Sequence, residues 1–222
     1  MMLSDVMEDY LKGIYELQRH SDDRISTSEI ADHLDVTQPT VSSMIEKLAD
    51  RGLLDYQKYE GVTLTDEGET IAIEVIRHHR LLESYLTEHL DYDFSEVHDE
   101  ADRLEHHISE KFEQRLAEQL DDPTTDPHGD PIPSEDLEPP AEPSAILLSA
   151  ADAGMRATVV RINDDDAETL EYLSEKGVKP NGELEIMDVA PFGMITVRTD
   201  DQQQISLPES IAKDVHIHPI DE

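Results

Sequence analysis

Apolar residues along the chain fall into three regimes. Between residues 4 and 123 they recur at helical spacing, with one break at 52–65. Tyr10, Ile14 and Leu17 make a first helical stripe. Ser26-Thr27-Ser28-Glu29 then sets a hydroxyl ahead of a glutamate, the capping chemistry that opens a helix. That helix carries Ile30, Ala31 and Leu34 and stops at Asp35-Val36. Thr37-Gln38-Pro39 starts another, with a cap-type residue and a proline that a first turn tolerates. Val41, Met44, Ile45 and Leu48 form its buried face, and Gly52 ends it. A short helix, a brief turn and a second helix make a helix-turn-helix. Residues 53–65 read as two strands joined around Glu60-Gly61, a hairpin in the position of a wing. Asp66 is expected to cap a long helix running to about Leu90.

The second regime, residues 124–143, holds Pro127, Pro131, Pro133, Pro139, Pro140 and Pro143 and almost no periodic apolar positions. Such a stretch is a linker or a non-helical strap. In the third regime, from Ala145 on, β-type runs at 157–162, 183–189 and 194–199 alternate with Gly154, Gly177, Gly182 and Gly193, which fits a small barrel. The expected fold is therefore a mainly α N-terminal winged helix-turn-helix, a helical domain and a small C-terminal β-barrel. The boundaries fall at 1–72, 73–133, a linker at 134–144, and 145–222. No apolar run approaches the ~18 residues needed to span a bilayer. The first residues lack a basic start followed by an apolar stretch. With no cysteine, disulfides, thiol catalysis and cysteine-based zinc sites are excluded. A cytoplasmic protein without a membrane partner is expected.

Charge changes the picture twice. Lys and Arg number 17 against 53 Asp and Glu, for a net charge of −36, and hydrophobic residues make up only 37 %. Those values are the signature of disorder, which the periodic apolar stretches contradict. The alternative is a folded chain with an acidic surface, as in organisms that hold molar salt in the cytoplasm, where a Debye length of ~3 Å makes carboxylate repulsion cheap. Such a charge argues against a nucleic-acid partner. Locally the argument fails, because residues 37–58 carry Lys47, Arg51 and Lys58 against Glu46, Asp50 and Asp55 and sum to zero. The outer face of the second helix should offer Thr37, Gln38, Pro39, Thr40, Ser42, Ser43 and Lys47, with Arg51 and Lys58 beside it. Small hydroxyls and amides suit base edges and phosphates.

Six of the eleven histidines lie between His78 and His107. His79 and Glu83 stand one helical turn apart. With His98 at 0°, a continuous helix puts Asp102 at ~40°, Glu105 at ~−20° and His106 at ~80°, four ligand-type groups on one side. His78, His89 and His107 point elsewhere. Imidazole with carboxylate and no thiol suits first-row divalent ions.

Several spaced motifs in order carry a resemblance. Glu8-Asp9-Tyr10-Leu11, Pro39-Thr40-Val41-Ser42, His79-Arg80-Leu81-Leu82-Glu83, Val97-His98-Asp99-Glu100-Ala101-Asp102-Arg103-Leu104-Glu105-His106 and His128-Gly129-Asp130-Pro131-Ile132-Pro133 are similar to the diphtheria-toxin-repressor and manganese-transport-regulator family. The tail from Ala145 resembles the SH3-like domain of that family's longer members, related to ferrous-transport accessory modules. The resemblance implies a metal-activated, dimeric transcriptional repressor that binds Mn(II) or Fe(II) at two sites per subunit and acts on double-stranded DNA at a palindromic operator. By the same resemblance one site uses Asp9, Asp102, Glu105 and His106. The other uses His79, Glu83 and His98, with the SH3-like domain contributing through Asp166, Thr169 or the acidic run at 164–166. Iron-type members have methionine and cysteine where this chain has Asp9 and Asp102, whereas manganese-type members have carboxylates there and a glutamate in place of Lys12. Oxygen-rich ligands favour Mn(II) or Fe(II) over softer ions.

Leu81, Leu82, Tyr85, Leu86, Ile108, Phe112 and Leu116 serve either a dimer interface or the core of one chain; periodicity does not separate the two. The rival functions are a helix-turn-helix regulator sensing an organic ligand and a dinuclear metallohydrolase. No separate base or oxyanion donors support the hydrolase, which would also leave the wing unexplained, so no enzymatic activity is expected.

Overall fold

A computed structural model describes residues 3–19, 21, 23–141, 144–163 and 166–220. Contacts divide the chain into two compact units, Met1–His79 with Glu105–Ile108 and Pro133–Pro139, and Arg80–Leu104 with Ser109–Ile132 and Pro140–Glu222.

The first unit holds α1 (Asp5–Gln18), α2 (Thr27–His33), α3 (Gln38–Asp50), the hairpin β1 (Leu54–Gln57) and β2 (Gly61–Leu64), and the start of α4 (Asp66–Leu90). The capping box forms as expected: Ser26 accepts from the Glu29 amide, and Glu29 accepts from the Ser26 amide at 2.8 Å. Leu11, Ile14, Ile30, Val41, Ile45, Leu48 and Val62 are fully buried, so the three helices and the hairpin share one core. In the wing, Tyr56 pairs with Val62 and Gln57 with Gly61. Gly61 has φ +112°, and a Cβ there would stand 2.5 Å from the Ile25 carbonyl oxygen; only glycine lets the wing lie against the segment entering α2. At the start of α4 the capping oxygen is Thr65 Oγ1, which accepts from the Gly68 amide at 3.2 Å. Asp66, expected to cap, instead adds negative charge to the first turn with Glu67 and Glu69.

The second unit contains the rest of α4, α5 (Val97–Leu104), α6 (Glu110–Gln119), and the C-terminal β domain. That domain comprises β3 (Ile146–Leu147), β4 (Arg156–Ile162), α7 (Ala167–Glu175), β5 (Glu183–Val189), β6 (Met194–Thr199), β7 (Gln204–Pro208), α8 (Glu209–Ala212) and β8 (Val215–Pro219). Its six strands pair antiparallel in the order β3-β8-β4-β5-β6-β7. The six-stranded antiparallel sheet is consistent with the expected small SH3-like domain, and no β3–β7 pairing closes it among the described residues. Alternating burial along β4, β6 and β7 places Val159, Ile162, Val197 and Leu207 in its core.

Two expectations about helices are revised. The helix expected to carry His98 through His106 ends at Leu104, and Glu105–His107 form a 3₁₀ turn belonging to the first unit. The single ligand-bearing face is therefore broken in two. Of the apolar residues that served either an interface or a core, Leu81, Leu82, Leu86 and Leu116 are buried within the chain, while Phe112 is 48 % exposed.

Candidate metal centre and DNA-reading face

In the first unit α1 carries Glu8, Asp9 and Lys12, one turn apart or less, on the side that meets the 3₁₀ turn. His106 lies between them and Glu105. Its Nδ1 is 2.8 Å from Glu8 Oε2, and its Nε2 is 2.8 Å from Asp9 Oδ1 and 3.5 Å from Glu105 Oε1. A ring with a carboxylate at both nitrogens donates from both, which is the imidazolium form. The hydrogen bond to Asp9 is the main reason its pKa rises to about 9, opposed by burial and helped by Glu8 and Glu105. The turn itself is held by His78, whose Nδ1 donates to the Glu105 carbonyl oxygen at 3.2 Å.

Asp9, Glu105 and His106 offer ligand atoms within 4.8 Å of one another. Glu105 is 1 % exposed and Asp9 48 %, so the cluster has a buried floor and an open side. If a metal takes His106 Nε2, Nδ1–H keeps Glu8 as its acceptor, the carboxylate–histidine support found behind metal ligands. The residues fit a divalent ion with oxygen and imidazole ligands. The far oxygen of Glu105 faces the other way: Oε2 is 2.6 Å from His79 Nδ1 and 3.0 Å from Lys12 Nζ.

The second unit gathers another set. His98 Nδ1 stands 3.3 Å and His128 Nδ1 3.6 Å from the same Glu83 Oε1, and Asp102 Oδ2 is 3.6 Å from His98 Nε2. Glu83, Asp126 and His128 are all buried with ligand atoms within 4.8 Å. His128 Nε2 donates to the Phe94 carbonyl oxygen at 2.9 Å, which turns Nδ1 toward Glu83. Burial, then the Glu83 and Asp130 carboxylates, push the Asp126 carboxyl well above its usual range, against the pull of Arg80 and His128. Asp126 Oδ1 also accepts from the His128 and Asp130 amides at 2.9 Å each, tightening the turn.

Unit by unit among the resemblance-based ligands, Asp9, Glu105 and His106 converge, and Glu83 converges with His98. Asp102 lies beside His98, and His79 in its own unit meets Glu105. His107 is exposed and 4.0 Å from Asp5, and His89 packs edge-on to Tyr85, as expected for residues outside the site. Asp166 caps α7 and accepts from Thr169 Oγ1 at 2.6 Å, so both expected contributors of the β domain serve a helix start; Asp164 and Asp165 lie outside the described residues. Sequence reasoning missed Glu8, Lys12, His78, Asp126 and His128. The available signal was spacing for Glu8 and Lys12, which flank Asp9 on one helix face. His128 opens one of the motifs that carry the resemblance but has no ligand role there, and Asp126 falls in the stretch read as a linker or strap.

Thr37, Gln38, Pro39, Thr40, Ser42, Ser43, Lys47, Arg51 and Lys58 are all exposed. Thr37 is the N-cap of α3 with Pro39 in the first turn, and Val41, Ile45 and Leu48 fix the opposite face in the core. The hydroxyl-rich face is therefore free to lie in a groove.

Residues 2–62 match the family described as iron-dependent repressor, N-terminal DNA-binding domain, residues 65–134 its metal-binding and dimerisation domain, and residues 146–219 the FeoA domain. The chain is 33 % identical to the diphtheria toxin repressor of Corynebacterium efficiens, over 99 % of this chain and 97 % of that protein. It is also 33 % identical to the iron-dependent repressor IdeR of Mycobacterium tuberculosis, over 98 % and 99 %. A solved manganese-dependent transcriptional repressor in complex with manganese superposes with a TM-score of 0.87 at 38 % identity, over 96 % of this chain and all of the other. No helix among the described residues is long and apolar enough to cross a membrane. The chain belongs to the iron-dependent repressor family, whose members are metal-sensing, DNA-binding transcriptional repressors.

Proposed function

We propose that this chain is a cytoplasmic homodimer that represses metal-uptake genes at a palindromic operator when Mn(II) or Fe(II) occupies two positions per subunit. The observation that carries the reading is the convergence of Asp9, from the DNA-binding region, with Glu105 and His106, from the metal-binding and dimerisation region. The second position draws on Glu83 and His98, with Asp102 and His128 as neighbours of ligand type in the same unit. Oxygen-rich ligation without thiol or thioether favours Mn(II) or Fe(II), and the family names of both kinds of relative agree with that pair.

A bound ion would supply two positive charges to carboxylates that otherwise repel. The chain's own residues do the rest. Without metal, the His106 proton stands between Glu8, Asp9 and Glu105 as a single positive charge. Asp9 on α1 and Glu105 on the turn are then held less firmly, and the reading helices of the two subunits are free to leave the separation of ~34 Å that successive half-sites need. Metal thus shifts a population of dimers toward the DNA-competent one. Phe112, exposed on α6 within the region matched to dimerisation, supports association of two chains there.

The test is a DNA-binding titration with Mn(II), anaerobic Fe(II), Zn(II) or chelator, each at low and at molar KCl. Binding that needs Mn(II) or Fe(II) and tracks a two-fold symmetric site is expected. Binding indifferent to chelator would overturn the reading in favour of a sensor of organic ligands.

A further inference from the structure

Lys12 reaches from α1 into the metal-binding cluster instead of out to water. Its ammonium is 3.0 Å from Glu105 Oε2, 3.3 Å from Glu105 Oε1 and 3.2 Å from His79 Nδ1. Its side chain is 15 % exposed, and its partners are 5 % exposed or less. One ring nitrogen and two carboxylate oxygens around a partly buried positive charge form a donor set of the kind a divalent ion takes. Glu105 is shared: Oε1 lies 3.5 Å from His106, which is joined to Asp9, and 3.3 Å from Lys12, while Oε2 faces His79 and makes the shorter contact to Lys12. A carboxylate that offers one oxygen to each of two cation positions is a bridge. In this chain one end of the bridge already holds a cation, covalently attached.

We infer that Lys12 is a tethered cation that fills the second position of the Glu105 bridge, limiting this cluster to one exchangeable metal ion and weakening its affinity. The inference rests on the metal-sensing reading of Asp9, Glu105 and His106 and adds to it. A fixed ammonium does two things there. It cancels one carboxylate charge on Glu105, so the ion at Asp9 and His106 meets a less anionic site. It also denies His79 and Glu105 Oε2 to a further ion, since a metal at bonding distance from both would collide with Nζ. A ligand charge count tuned downward raises the metal concentration at which a sensor responds. The lysine therefore sets the threshold as well as the stoichiometry of the cluster.

The competing explanation is a structural ion pair, a lysine that only offsets a buried glutamate. Two substitutions separate them. Lys12→Met keeps the length of the chain and removes the charge; Lys12→Glu adds an oxygen ligand. Full-length chelated protein is titrated with Mn(II), counting bound ions from the loss of the free-ion electron paramagnetic resonance signal, with circular dichroism confirming the fold. Expected are an unchanged ion count and at least about tenfold tighter binding for Lys12→Met. Lys12→Glu should bind one ion more per chain than the wild type, with a spin-coupled signal from two adjacent Mn(II). A structural pair predicts lower melting temperatures with the wild-type ion count and affinity, and that result for both variants overturns the inference. If Lys12→Glu does not fold, the affinity of Lys12→Met decides alone. A wild type that takes up no Mn(II), Fe(II) or Zn(II) would instead bring down the metal-sensing reading beneath it.

Discussion

Metal binding at the cluster has to displace a proton, and the size of that exchange follows from His106. In the metal-free chain the ring gives hydrogen bonds to Glu8 and Asp9, and its pKa rises from 6.5 to about 9, chiefly through Asp9. Because the folded value exceeds the unfolded one, the stabilisation is fully present below pH ~6.5 and disappears as pH climbs through about 9. At ~1.4 kcal/mol per pH unit the shift corresponds to ~3 kcal/mol. Asp9 is 48 % exposed, and water screens this largest contributor, which lowers the expectation to ~2 kcal/mol. Urea unfolding in excess chelator, followed by circular dichroism, should show that loss between pH 6.5 and 9.5, and His106→Gln should flatten it. The same proton leaves when metal arrives. Calorimetry at pH 7.5 in buffers of different ionisation enthalpy should count about one proton released by His106 per ion, and affinity should rise about tenfold per pH unit below 9. Metal-free stability that holds level from pH 6.5 to 9.5, together with no proton release, would refute the assignment of His106 as both the charged hub and a ligand.

Other outcomes follow from the same geometry. Asp9→Asn should weaken Mn(II) binding at least about tenfold and abolish metal-dependent operator binding in a gel-shift assay, whereas Asp102→Asn, at an exposed position beside His98, should act less strongly. Gln38→Ala should relax discrimination at one base pair by ~1–3 kcal/mol, and Arg51→Ala should weaken binding to all sequences alike. Operator affinity measured by fluorescence anisotropy from 0.1 to 2 M KCl should stay level or rise, since a chain at −36 takes up cations on meeting DNA rather than releasing them; a steep fall would show ordinary counterion release. Gly129→Ala should cost ~2 kcal/mol or more in urea unfolding, because its φ is +92° and a Cβ would lie 2.0 Å from the Val160 carbonyl oxygen.

The winged helix-turn-helix was legible because each boundary has its own chemical mark. Ser26 and Glu29 cap one helix, Thr37 and Pro39 open the next, and Gly52 and Gly61 permit backbone turns that other residues resist. The metal cluster was half legible. Residue types and helical spacing pointed to Glu105 and His106, and Asp9 came only through the family resemblance, but a uniform 100° wheel carried the helix past Leu104, where no glycine or proline warns of the change. The 3₁₀ turn depends on His78 holding the Glu105 carbonyl, a contact across 27 residues of chain. Lys12 lies 93 residues from Glu105; spacing shows that it shares a face with Asp9, and only the fold shows what that face meets. Asp126 and His128 lie in the stretch read as a linker or strap; there they form a tight turn, and both are buried.

The turn at Gly129 gives the proline-rich stretch a different meaning. The Ile162 amide donates to the His128 carbonyl oxygen at 2.9 Å, and Arg161 Nε lies 2.9 Å from Asp130 Oδ2. Arg80 reaches the same aspartate at 3.0 Å and the Pro131 carbonyl oxygen at 2.6 Å. The β domain is thus clasped to the turn, like the lid of a box by its latch. Cutting the chain after residue 140 would leave a buried carboxylate facing Arg80 alone and strip a backbone acceptor of its donor. A shortened repressor lacking the β domain would therefore be altered beside Glu83 as well as at its end, and its metal response would report the missing latch.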